Sequence, residues 1–148
     1  VDAAGSCNRG SPRKERMSDL RQRAFDAYQS GDFGSAETGY RQVLAENPDD
    51  IDSRMTLGVV LRRLGRLDDA IDVLEQTIAA APQDFRAHAN LGLALQTARR
   101  IDAAVKSYRT AFRLEPRTIR QIAINLSALG TGMLFLDPRA LEVFLGRD

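Results

Sequence analysis

The chain has 148 residues, 28% of them charged and 43% apolar, and 21 basic side chains nearly cancel 20 acidic ones. This is the make-up of one ordinary globular domain, able to bury about two-thirds of its unfolded surface, and it excludes a collagen, an acidic disordered chain and a disulfide-stapled toxin. A single cysteine, Cys7, allows no internal disulfide, and a single histidine, His88, leaves little for a metal site or a histidine relay; no cofactor or metal is expected, and the chain is not expected to be an enzyme.

A formal charge of +1 argues against bulk attraction to nucleic acid. No run of about 18 apolar residues is present, and the most apolar region, Ile122 to Leu136, is interrupted by Asn125, Ser127, Gly130, Thr131 and Gly132. Neither a membrane span nor a secretory leader is expected, and the cytoplasm is the default location. Of the basic residues 19 are arginine, with only Lys14 and Lys106 as lysines, which reads as GC-rich coding in a bacterial gene.

Residues Val1 to Arg16 hold glycine, serine, proline and charge with almost nothing apolar, and are expected to form a disordered tail. Met17 opens the first patterned segment and is a candidate translation start. From there the chain repeats. Pro48, Pro82 and Pro116 are each 34 residues apart, as are Ala36, Ala70 and Ala104, and a bulky residue (Tyr40, Leu74, Tyr108) follows each alanine by four. Leu57-Gly58 recurs as Leu91-Gly92, with Ala24 at the matching position of the first copy. Turn residues Gly31-Asp32, Gly65-Arg66 and Arg99-Arg100 precede the alanines.

A 34-residue period with these residues resembles the tetratricopeptide repeat family, whose pattern is W-x-x-L-G-x-x-Y, then A-x-x-x-F, then P. Three copies match, 17–50, 51–84 and 85–118, although Leu20, Arg54 and His88 occupy the tryptophan position and Arg23 replaces a leucine. The resemblance implies an all-α fold, a right-handed superhelix of antiparallel helix pairs, with helix A and helix B of each copy crossing closely at small residues. Gly58 and Gly92 are expected to meet the neighbourhood of Ala70 and Ala104. Each proline ends a B helix, and Asp50, Asp84 and Thr118 stand as N-caps, Thr118 with Gln121 in capping-box spacing.

Beyond Pro116 the pattern decays. Ile119 to Leu129 continues as an A-type helix, Gly130-Thr131-Gly132 forms a turn, and Asp137-Pro138 starts a last helix in which Ala140 and Phe144 repeat the alanine-plus-four spacing. Residues 119–148 are thus a degenerate fourth repeat, two residues longer at its turn. Its apolar residues Met133, Leu134, Phe135 and Leu145 are expected to fold back, to dimerise, or to meet a further domain.

The resemblance places groove-lining residues on the A helices, at positions 2, 5, 6, 9, 12 and 13 of each repeat. The candidates for partner binding are Arg21, Phe25, Met55, Val59, Arg62, Arg63, Arg86, Asn90, Leu93 and Arg120, with Ile124 completing an apolar floor. Five arginines against Asp52 make the groove basic on paper; the alternative is a solvated arginine-rich face. The dicarboxylate clamp of chaperone-binding members does not survive: Arg21, Arg86 and Asn90 match in kind, but Phe25 and Thr56 stand where asparagines belong. His88 falls at a packing position, and Asp68-Asp69 with Arg99-Arg100 read as solvated turn charges. No Ser/His/Asp set, paired cysteines or phosphate-cradling loop is present.

The expected function is a non-catalytic scaffold or adaptor that holds a peptide or helix of acidic and apolar character in its concave groove. The other reading is a regulatory or oligomerising segment of a larger bacterial enzyme or assembly, with a homodimer formed through the C-terminal apolar segment.

Overall fold

The computed structural model describes residues 12–127 and 138–146. Cys7, the Gly130 to Gly132 turn and the apolar stretch Met133 to Leu136 lie outside them. Among the described residues there are eight α-helices and no strand: α1 (Pro12–Ser30), α2 (Phe33–Glu46), α3 (Ile51–Arg63), α4 (Leu67–Ala80), α5 (Phe85–Thr97), α6 (Ile101–Leu114), α7 (Ile119–Ser127) and α8 (Pro138–Gly146). From α1 to α6 each helix packs on the next, and α8 packs on both α6 and α7. The result is an all-α solenoid of stacked helix pairs.

One boundary differs from the sequence reading. The expected tail ran to Arg16, but α1 begins at Pro12, so residues 12–16 form its first turns. Proline is well placed at a helix start, where its missing N–H has no partner to lose. Arg16 also reaches Glu46 on α2 at 3.3 Å.

The repeating residues occupy repeating jobs. Ala36, Ala70 and Ala104 have no exposed surface, and neither does Tyr108. The nearest neighbours of the glycines, however, are not the alanines themselves. A Cβ on Gly58 would stand 2.7 Å from Leu74 Cγ, and one on Gly92 would stand 2.6 Å from Tyr108 Cε1, so the A helices approach the bulky residue four positions beyond each alanine. In the first pair the roles invert. Ala24 lies on α1, Gly39 on α2, and a Cβ on Gly39 would come within 2.7 Å of the Ala24 methyl carbon.

The helix ends follow local rules. Between A and B helices the backbone turns through Gly31 (φ +82°), Gly65 (φ +78°) and Arg99 (φ +64°). Each turn closes with a paired bond pattern: Asp32 N–H to Ala27 O and Gly31 N–H to Tyr28 O, repeated at Arg66 and Gly65, and at Arg100 and Arg99. Asp32 within the first pair, and Asp50 and Asp84 between pairs, cap α2, α3 and α5 by accepting from the N–H groups of Ser35, Ser53 and Arg86. Thr118 does not cap α7 as its spacing suggested. Glu115 accepts from Arg117 N–H instead, starting a 3-10 turn over Pro116–Thr118, and the Thr118 hydroxyl donates back to Glu115 O. Proline at the first position of that short turn shifts the cap three residues upstream.

The core runs through the stack. One cluster gathers Tyr40, Leu57, Val60 and Leu61 between the first two pairs, and a larger one joins Leu74, Leu91, Tyr108, Ile122 and Leu126 to Leu141 and Leu145 of α8. Leu145 is fully buried there, so it offers no surface for the expected dimer.

Three measurements test this packing. Gly92→Ala should cost about 1–3 kcal/mol in urea unfolding, because the Tyr108 ring it strikes is tethered at its hydroxyl; an unchanged midpoint would contradict the close approach. Arg99→Gly should raise stability by about 1 kcal/mol, since a left-handed residue gains from losing its Cβ; a loss would mean that the arginine side chain matters more than the backbone. The carboxyls of Asp32 and Asp84 sit below the usual carboxylate range, held down first by hydrogen bonds from Ser35 and from the Arg86 side chain respectively. Stability they confer is therefore complete above about pH 4 and is lost as pH falls through their folded values. Asp84→Asn, which keeps a capping oxygen, should flatten that acid limb; two parallel stability–pH curves would show that Asp84 plays no part in it.

Candidate functional site

The A helices α1, α3, α5 and α7 form one layer, and α3 touches α5 directly. Their outward sides make a continuous face. Phe25, Val59 and Leu93 recur at 34-residue spacing and form a row along it. Phe25 remains 44% exposed although it is a phenylalanine, and Ile124 on α7 is 56% exposed. Val59, Leu93 and Asn90 are half-buried. A partly exposed apolar row of this kind suits a binding face, because part of its transfer energy has not been used in folding.

Met55 does not belong to that row. It is buried, and it joins the cluster containing Ile71, Leu74 and Leu91. Its unbranched thioether fills space between helix pairs, which leaves it unavailable to a ligand.

The electrostatic expectation also changes. Arg21 is ion-paired with Asp50, the cap of α3, whose carboxylate also accepts from the Ser53 hydroxyl at 3.0 Å. Arg86 holds Asp84 at 2.6 Å and Asp52 at 3.0 Å. Two of the five groove arginines are therefore neutralised from within, and the groove is less basic than its listing of side chains by position suggested. Arg62, Arg63 and Arg120 have no carboxylate partner among the described residues. Counting only groove positions missed Asp50 and Asp84 because they lie in the linkers, and the signal that could have found them is their adjacency to position 2 of the following repeat.

The turn charges are not simply solvated. Arg66 pairs with Glu37 of the preceding repeat at 2.6 Å and with Asp69, and Arg100 pairs with Asp68 of the preceding repeat at 2.8 Å. These contacts tie neighbouring pairs together along one edge. His88 is structural, its Nε2 lying 2.9 Å from Pro82 O, and Arg54 at the same repeat position donates to Pro48 O.

Two further features shape the face. A cavity of about 270 Å³ opens between α1 and α3, lined by Arg21, Phe25, Tyr40, Ser53 and Thr56 among others. Burial pushes the Tyr40 phenol up, while a hydrogen bond with Thr56 pulls the other way. Deeper, Tyr108 donates to Gln96 Oε1 at 2.6 Å, Gln96 donates to the Asn125 carbonyl, and Gln121 donates to the Asn125 side chain at 3.0 Å. Desolvation raises the Tyr108 pKa to about 12, so the phenol stays a donor at any ordinary pH. This buried polar chain pins α5, α6 and α7 in register. Sequence reading missed it, since Gln96 stood only as a groove position.

No group of three or more His, Cys, Asp or Glu side chains among the described residues could hold a metal ion. The face offers an apolar row, a small cavity of mixed lining and unpaired cations, which suit recognition of a polypeptide.

Several solved structures share this architecture. The first tetratricopeptide domain of Spaghetti (RPAP3) bound to the HSP90 peptide SRMEEVD superposes with a TM-score of 0.66 at 18% identity, over 77% of this chain and 95% of that one. The type III secretion translocator chaperone SycD of Yersinia enterocolitica, in an alternative dimer, gives 0.69 at 19% identity over 90% and 96%. A Thermobaculum terrenum O-GlcNAc transferase mutant, K341M, gives 0.75 at 26% identity, over 92% of this chain and 26% of that one. No curated protein sequence matches the chain. The tetratricopeptide repeat pattern matches residues 27–95 and again 85–118. With three helix pairs carrying that pattern in one register, the chain belongs to the tetratricopeptide repeat family.

Proposed function

We propose that this protein is a non-catalytic scaffold whose hollow face binds a segment of another polypeptide. The observation that carries the reading is the row of Phe25, Val59 and Leu93, in which a large aromatic side chain stays 44% exposed beside a cavity of about 270 Å³. Supporting it, RPAP3 and SycD share the fold, and the first of these was solved with a peptide bound. Burying such a row is worth roughly 1.5–3 kcal/mol per side chain, against about 0.2–1 kcal/mol for an exposed ion pair. Apolar contacts therefore set affinity, and unpaired arginines select acidic neighbours in the bound segment.

The bound segment is not expected to be held by a dicarboxylate clamp. Phe25 and Thr56 replace the asparagines such a clamp needs, and Arg21 and Arg86 already hold Asp50, Asp52 and Asp84.

A second reading has one observation in its favour: the chain aligns with 26% of the length of the O-GlcNAc transferase. On that reading this repeat array is a recognition or regulatory segment of a larger protein. That reading differs in what the array is attached to and in using the C-terminal apolar segment as its docking surface.

Phe25→Asp is the direct test, because the residue is half exposed and its loss leaves the core intact. Affinity capture with wild type and variant should show the loss of at least one specific partner from the variant, with a melting temperature within about 2 °C of wild type. Recovery of the same partners in the same amounts would refute a role for the hollow face.

A further inference from the structure

We propose that Arg62 is the point at which the groove takes a carboxylate of its bound polypeptide. The inference rests on the groove reading above and specifies the chemistry of its ligand.

Several arginines along the A helices and their turns are already engaged, and Arg23 and Arg99 are exposed. Arg21, Arg66, Arg86 and Arg100 hold carboxylates, and Arg54 holds the Pro48 carbonyl. Arg63 and Arg120 have no carboxylate but are exposed, so water serves them. Arg62 alone among the unpaired groove arginines is half-buried, and among the described residues no acidic side chain answers it. Its guanidinium has given up part of its water and gained no carboxylate in return, which is unfavourable. Burial and then the neighbouring Arg63 weaken its hold on its proton.

The repeat explains the surroundings. Arg62 stands at position 12 of its repeat, with Tyr28 at the same position on α1 and Gln96 on α5. Gln96 is fully spent, accepting from Tyr108 and donating to Asn125 O. The Tyr28 hydroxyl has no hydrogen bond among the described residues, and its ring leans on Phe33 at 6.0 Å between centroids. Position 12 also lies three residues beyond position 9 on each helix, hence on the same side one turn along. Arg62 therefore follows Val59 in the way that Tyr28 follows Phe25. A carboxylate at Arg62 sits one turn from the apolar row, the spacing of an acidic group next to an apolar anchor in a bound chain. A planar guanidinium matches the two oxygens of one carboxylate.

The test uses three leucine-rich hexapeptides titrated to millimolar concentration into isotope-labelled protein. One carries glutamates and an amidated C-terminus, one carries glutamines and a free C-terminal carboxylate, and one carries glutamines with an amidated end. The Arg62 Nε–Hε signal, assigned by its absence in Arg62→Gln, should shift with one or both carboxylate-bearing peptides and not with the third; which of the two acts identifies a side-chain or a terminal carboxylate. Arg62→Gln should weaken the responding peptide about tenfold or more while melting at the same or a higher temperature, and Arg62→Lys should fall between. The proposal is overturned if Leu93 methyl signals shift while Arg62 does not, which leaves the groove reading standing. It is also overturned if the carboxylate-free peptide acts equally on Arg62, or if Arg62→Gln melts several degrees lower, as a structural arginine would. Stillness of both Leu93 and Arg62 with all three peptides overturns the proposal and the groove reading together.

Discussion

Close contact between a residue without a side chain and a large one holds this molecule together. Gly58 against Leu74 and Gly92 against Tyr108 set how near each A helix lies to its B helix, at distances that leave no room for a methyl group. Glycine within a helix costs about 1 kcal/mol relative to alanine, so its use there is sustained by what the contact returns in buried area. Once two helices in each pair are fixed at that distance, the next pair can stack on them at one offset only. The caps at Asp50 and Asp84 and the ion pairs along the turn edge then fasten each pair to its neighbour.

That division of labour leaves one face unfinished. The B helices and the inner sides of the A helices supply the core, so the apolar row on the outward side of the A helices is surplus to folding. The charges on that face divide in the same way. Arg21 and Arg86 serve the joints between repeats, whereas Arg62 holds no carboxylate among the described residues. A structure optimised for stability alone would not keep a half-buried guanidinium unanswered, and binding sites are where such local costs are concentrated.

Much of the fold could be read from spacing, because each helix pair repeats the same contacts and therefore the same residues. Proline, alanine and glycine at one period give the family, the helix ends and the order of pairs. Where reading failed, a local competitor won. Thr118 lost its capping role to Glu115 because Pro116 favours a short 3-10 turn, and α1 extends to Pro12 because a proline at a helix start is tolerated where a tail seemed cheaper. Partners of the glycines were misplaced by one helical turn, since spacing names a helix face without giving the height along it. The candidate site was less readable than the fold. Phe25, Val59 and Leu93 follow from register, but burial of Met55 and neutralisation of Arg21 and Arg86 depend on linker residues and helix rotation, which a positional list does not contain.

The central claim is that the A-helix face, and not the B-helix face, is the working surface. Hydrogen exchange of this protein with and without a captured partner tests it most directly. Slower exchange concentrated in α1, α3 and α5, with α2, α4 and α6 unchanged on their outer sides, is the result this account predicts. Protection confined to the B helices, or to α8 alone, would contradict it.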